Sequence, residues 1–151
     1  MTTHILAGLG TASSSYSPAV TAAEQEVTFD SSVVFVPPLS CADAPLRLLA
    51  SDELHGTIVT RCTGSLADPD IDGTLHWLDG TTSAYTITSL TAERVQGHVI
   101  AHDTGTITSG HYTGGTIHRL GIRLAGNVTA CLAGGSISSS VGTDLIFLTT
   151  S

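Results

Sequence analysis

The sequence predicts an all-β fold, a single antiparallel β-sandwich of Ig-like or jelly-roll-like type spanning residues 1–151. Three observations carry this expectation. Thr, Val and Ile alternate with polar residues along most of the chain, the period-2 pattern of half-buried strands. Turn signals rich in Gly, Ser, Thr and Asp interrupt these runs every ~8–12 residues, the spacing of sandwiches and barrels. Charged residues make up only 12% of the chain against 41% hydrophobic, a balance that favours a packed core over disorder.

The elements follow in order. His4–Leu9 is a short apolar strand. Glu26–Val36 is β-branched and stops at Pro37-Pro38, which cannot continue a ladder. The segment Asp43–Leu54 offers an N-cap, a first-turn proline at Pro45 and leucines at 46, 49 and 54, the signature of one short helix. It reads equally well as a loop between sheets. His55–Cys62 alternates around Ile58. Gly73–Leu78 places Leu75 and Trp77 on one face, and Asp79-Gly80 is a tight hairpin turn. Ser83–Leu90 returns with Tyr85 and Ile87 together on one side. Val95–His102 and Thr104–Thr108 follow. Thr116–Leu124 sets Ile117 and Arg119 opposite His118 and Leu120, and Ile137–Leu148 closes the chain.

Composition narrows the function classes. The chain has no lysine, which excludes a lysine Schiff base and a phosphate-loop lysine. Its five cations are Arg47, Arg61, Arg94, Arg119 and Arg123, and its formal net charge is -8. An acidic surface repels phosphate backbones and anionic lipids, so neither nucleic acid nor membrane insertion is expected. No apolar run reaches the ~20 residues needed to span a bilayer as a helix. The start of the chain lacks the basic and apolar regions of a signal peptide. The expectation is a secreted domain preceded by an added Met1; a chain that is cytosolic or virion-borne as written is the alternative.

Three cysteines, Cys41, Cys62 and Cys131, leave at least one thiol unpaired in a monomer. Their long spacings, with no Cys-x-x-Cys pair, argue against a zinc knuckle. In an oxidising compartment the expected disulfide is Cys41–Cys62; three buried thiols are the equal alternative.

Several short motifs recur together: Tyr16-Ser-Pro18, Trp77-Leu-Asp-Gly-Thr-Thr-Ser83, Gly105-Thr-Ile-Thr-Ser-Gly110, Thr113-Gly-Gly-Thr116 and Ala130-Cys-Leu132. In this order the chain resembles small secreted actinobacterial proteins of Streptomyces-like genera, from about Thr11 to Leu148. The resemblance implies a disulfide-containing β-sandwich, an exported location and the three-cysteine pattern, and it supplies no catalytic residue. Gly115 stands where those proteins usually carry an acidic residue.

The strongest local chemical signal is Asp68-Pro-Asp70-Ile-Asp72-Gly73. Counting from Asp68, oxygens recur at alternate positions, glycine takes the sixth place and Asp79 the twelfth, the ligand spacing of a calcium loop. Asp68, Asp70, Asp72 and Asp79 are therefore candidate calcium ligands, and calcium is the one cofactor the sequence suggests. The competing reading is a polar turn joining two strands through Asx hydrogen bonds. His98 and His102, four apart on a strand, would sit roughly 13 Å from each other, too far to share a metal ion. No Gly-x-Ser-x-Gly elbow or selected carboxylate pair points to catalysis. Trp77 with Tyr85 offers a small aromatic platform, but a core position suits Trp77 better.

The leading expectation is a non-catalytic extracellular module that acts by binding or assembly, with a protein or surface glycan as partner. A structural or adaptor subunit of a homo- or hetero-oligomeric particle (a virion decoration or a secreted toxin complex) is the second reading. A secreted hydrolase or inhibitor is the third.

Overall fold

The computed structural model describes residues 2–62, 66–95, 98–124, 131 and 133–150. Eight strands follow one another: β1 (Thr3–Val20), β2 (Gln25–Ser40), β3 (Leu48–Thr60), β4 (Leu66–Trp77), β5 (Thr82–Val95), β6 (His98–Ser109), β7 (Thr116–Leu124) and β8 (Ile137–Thr150). Each pairs antiparallel with the next, and β8 returns to pair with β1, so the sheet closes into an up-and-down barrel.

The closure corrects the sandwich expectation. A sandwich has two sheets with separate edges, whereas here the first and last strands share a ladder from Thr3↔Thr150 to Ser15↔Ser139. Alternating strands serve both architectures, because each asks only for one apolar face per strand. Closure is decided by pairing between the two ends of the chain, which no local pattern encodes.

The short helix over Asp43–Leu54 is likewise replaced. Ala42–Arg47 bend and turn, Leu46 is 97% exposed, and Leu48 opens β3. A bulge between Leu49 and Ser51 lets Leu49 and Asp52, three residues apart, both face inward. A bulge in a strand thus imitates the spacing of a helix.

The lumen is layered. At the end carrying the β2–β3, β4–β5 and β6–β7 connections it is filled by Phe35, Leu49, Leu75, Trp77, Ile117 and Leu148. Trp77 is buried there, its indole N–H donating to Ser83 Oγ at 2.9 Å, while Ser83 donates to the His111 carbonyl at 2.9 Å. Tyr85 is only 1% exposed, so the aromatic platform does not form. Asp79-Gly80 makes the expected turn between β4 and β5, with Gly80 at φ +91°.

Near the opposite end, Cys62 and Cys131 form a disulfide between the segment after β3 and the segment before β8. The expected Cys41–Cys62 pair is therefore wrong: Cys41 is a buried free thiol near the filled end. The β2–β3 connection carries Cys41 to one rim of the barrel and β3 carries Cys62 to the other, so the two cannot meet.

Candidate functional site: a cavity inside the barrel

Beyond the filled layer the lumen opens into a cavity of about 460 Å³. Its wall is built from inward positions of the strands, including Phe29, Leu54, Ile58, Ile71, Ile87 and Val99. Smaller inward residues, Ser14 on β1, Ala101 on β6 and Gly121 on β7, leave the space that larger side chains take up at the other end. An eight-stranded barrel is just wide enough to be filled by side chains or to hold one small ligand; this chain does the first at one end and the second at the other.

A polar layer separates the two halves. Asp52 on β3, Tyr85 on β5, Arg119 on β7 and Asp144 on β8 all point inward, each at most 3% exposed. Arg119 Nη2 donates to Asp52 Oδ2 and, at 2.6 Å, to the Tyr85 hydroxyl. Tyr85 donates in turn to Asp52 Oδ1 at 2.7 Å. Arg119 Nη1 lies 3.4 Å from Asp144 Oδ2, an ion pair. Burial pushes the Asp52 carboxyl up to about 6 against the opposing pull of Arg119 and Tyr85. Burial also works to neutralise Arg119, but the surrounding carboxylates outweigh it and hold the guanidinium charged. The Tyr85 phenol is raised well above its ordinary value by burial and stays protonated.

Arg119 and Asp103, its cross-strand neighbour on β6, are the members of this region that line the cavity. A guanidinium carries five N–H donors. Among the described residues, Arg119 Nε and Nη1 have no hydrogen-bond acceptor. The cavity therefore combines an apolar wall with a charged, incompletely satisfied floor.

The residues singled out for calcium are elsewhere. Asp68, Asp70 and Asp72 lie on β4, not in a loop, and Asp79 sits in the turn beyond its far end. A strand rises ~3.3 Å per residue, which puts Asp72 and Asp79 on the order of 20 Å apart. Asp72 accepts from Thr86 Oγ1 at 3.0 Å, and Asp79 accepts from the Thr81 N–H at 2.9 Å. The spacing of a calcium loop is present, but Asp70 and Asp72 run along strand β4 past an irregularity at Asp68 (φ +48°), and Asp79 lies beyond the strand's far end. Among the described residues no three His, Cys, Asp or Glu side chains converge as a metal site. His98 and His102 both lie on β6, as the strand reading expected.

The buried network was missed in the sequence, although a signal for it exists. Arg119 keeps the parity of Ile117, Asp144 that of Ile146, and Asp52 that of Leu54, all of them inward and apolar. A charged residue on the apolar face of a strand is the informative exception. The chain matches no protein-family model, no curated protein and no solved structure.

Proposed function

We propose that this chain is an exported, non-catalytic binding protein that holds one small, mostly apolar molecule inside its barrel. The observation that carries the reading is the 460 Å³ cavity over the Arg119 floor. Its volume lies within the range of small-molecule sites, and its lining joins an apolar wall to polar side chains that include Arg61, Ser14, Ser138 and Ser140 beside the Arg119 floor. The reading rests on this cavity rather than on the barrel class, since one fold serves many functions. Export is supported by the Cys62–Cys131 disulfide, a bond that persists in oxidising compartments. Among the described residues no helix is long and apolar enough to cross a membrane.

Titration with N-phenyl-1-naphthylamine, a dye that fluoresces in apolar sites, tests the proposal. One saturable site of micromolar affinity is expected. Ala101→Phe, which fills the cavity from β6, should abolish the signal while leaving the circular dichroism of the barrel unchanged. Dye binding that survives this substitution places the site elsewhere and refutes the reading.

A second reading, self-association, is favoured by the outer face of β7, β8, β1 and β2. Ile122, Thr143, Thr11 and Val34 form one cross-strand row, and Leu120, Leu145 and Leu9 form the next. Leu9 is 63% and Val36 87% exposed. These rows carry no Asp, Glu or Arg, so two chains of net charge -8 meet there with least repulsion. Light scattering should then show a dimer that Val36→Asp dissociates; a monomer at high concentration would remove this reading.

A further inference from the structure

We infer that the ligand of the barrel is an uncharged apolar molecule bearing a carbonyl oxygen, and that this oxygen docks on Arg119. The inference rests on the cavity reading above and names the chemistry of its occupant.

Arg119 is 3% exposed and lines the cavity floor. Its Nη2 donors are engaged by Asp52 and Tyr85. Its Nε has no acceptor among the described residues, and Nη1 has only the 3.4 Å ion-pair contact to Asp144 Oδ2, short of hydrogen-bond geometry, although buried donors in folded proteins nearly always have an acceptor. The charge of the guanidinium is another matter: Asp52 and Asp144 already flank it as ion-pair partners. What Arg119 lacks is an acceptor at Nε, not counter-charge.

This distinction selects the ligand. A carboxylate on Arg119 would bring a third anion to a guanidinium that already has two, and would sit beside the Asp103 carboxylate across the β6–β7 ladder; the other lining cation, Arg61, is exposed and screened by water. Its desolvation would not be repaid. An ammonium would face Arg119 itself and supply no acceptor. A ketone, ester or amide oxygen offers two lone pairs without net charge and can accept from a guanidinium edge. The rest of the molecule lies against Leu54, Ile58, Ile71 and Ile87, which present only hydrocarbon.

The test uses the full chain and three ten-carbon probes at pH 7.5: 2-decanone, decanoate and decylamine. Each is titrated against bound N-phenyl-1-naphthylamine. 2-Decanone should displace the dye at a concentration at least tenfold lower than either charged probe. In parallel, the ¹⁵N–¹H spectrum of the arginine side chains should show one buried Nε–H resonance shifting saturably with 2-decanone. Equal or better displacement by decanoate or decylamine overturns the inference while dye binding keeps the cavity reading intact. Displacement by 2-decanone with no arginine Nε shift also overturns it. Failure of the dye to bind the native chain, or its persistence in Ala101→Phe, removes the cavity reading and this inference with it.

Discussion

Tyr85 on β5 lies directly over Gly73 on β4, its register partner. A Cβ built on Gly73 would stand 2.0 Å from Tyr85 Cζ. The missing side chain lets the phenol lie flat across the neighbouring strand, so that its hydroxyl reaches Asp52 on β3 and Arg119 on β7 at once. A glycine thus positions the polar layer that closes off the cavity.

Gly73→Ala should accordingly displace the Tyr85 ring and pull its hydroxyl off Asp52. Overpacking of this kind costs about 1–3 kcal/mol. Denaturant unfolding checks the loss. Tyr85→Phe in the Gly73→Ala background separates the steric cost from the lost hydrogen bonds, and the two effects should be strongly non-additive because the residues touch.

Arg119→Met should be much more damaging at neutral than at acidic pH. Removing one partner of a buried ion pair leaves uncompensated charge and costs about 3–5 kcal/mol. Here the carboxylate left without its cation is that of the fully buried Asp52, already raised to about 6. Its protonation relieves the uncompensated charge, so the deficit measured by urea unfolding should shrink on going from pH 7 to pH 5. A deficit independent of pH would mean that the loss is one of packing alone.

Asp52 gives the native chain its own pH dependence. Its carboxyl is raised from 3.8 to about 6, so the folded state binds a proton that the unfolded state has released. The resulting contribution favours folding fully below pH ~4 and is lost as pH rises through about 6, on the order of 3 kcal/mol in all. Melting temperatures between pH 4 and 6.5 should include this downward component. Asp52→Asn, which cannot titrate, should flatten it relative to the native chain.

The Cys62–Cys131 disulfide spans 69 residues of sequence. On the chain-entropy model a loop of that size stabilises by about 4 kcal/mol. Reduction, or the double substitution Cys62→Ser and Cys131→Ser, should lower the unfolding free energy by about that amount. Cys41 is buried and its thiol is pushed up by burial. A thiol reagent should therefore find one reactive cysteine in denaturant and none in the native protein.

Millimolar calcium should leave the melting temperature unchanged, because Asp68, Asp70 and Asp72 are spread along β4 and Asp79 lies past its far end, and among the described residues no three such side chains converge. A stabilisation that grows with calcium concentration would support the sequence-based reading of Asp68, Asp70, Asp72 and Asp79.

Some of this protein was legible residue by residue. The pairing of inward and outward sides was correct at Leu75 and Trp77, at Tyr85 and Ile87, and at Ile117 and Arg119, since a strand alternates strictly and needs no tertiary knowledge. The Asp79-Gly80 turn was legible because a positive φ at Gly80 is a local requirement. β1 runs to Val20, well past the apolar His4–Leu9 segment, because its second half, from Gly10 on, is mostly small and polar and its inward Ala12 and Ser14 carry little hydrophobic signal.

The amino-acid sequence by itself determined strands, most of their inward faces and the low charge that lets them pack. The tertiary structure decided closure, the disulfide partner and the site. β1 meets β8 across nearly the whole chain, Cys62 meets Cys131 rather than Cys41, and Arg119 finds Asp52 67 residues away. The physical reason is the same in each case. Alternation and turn chemistry act over a few residues, while a barrel brings distant inward positions into one lumen. Only that shared interior turns three charged residues on apolar faces into a single polar floor.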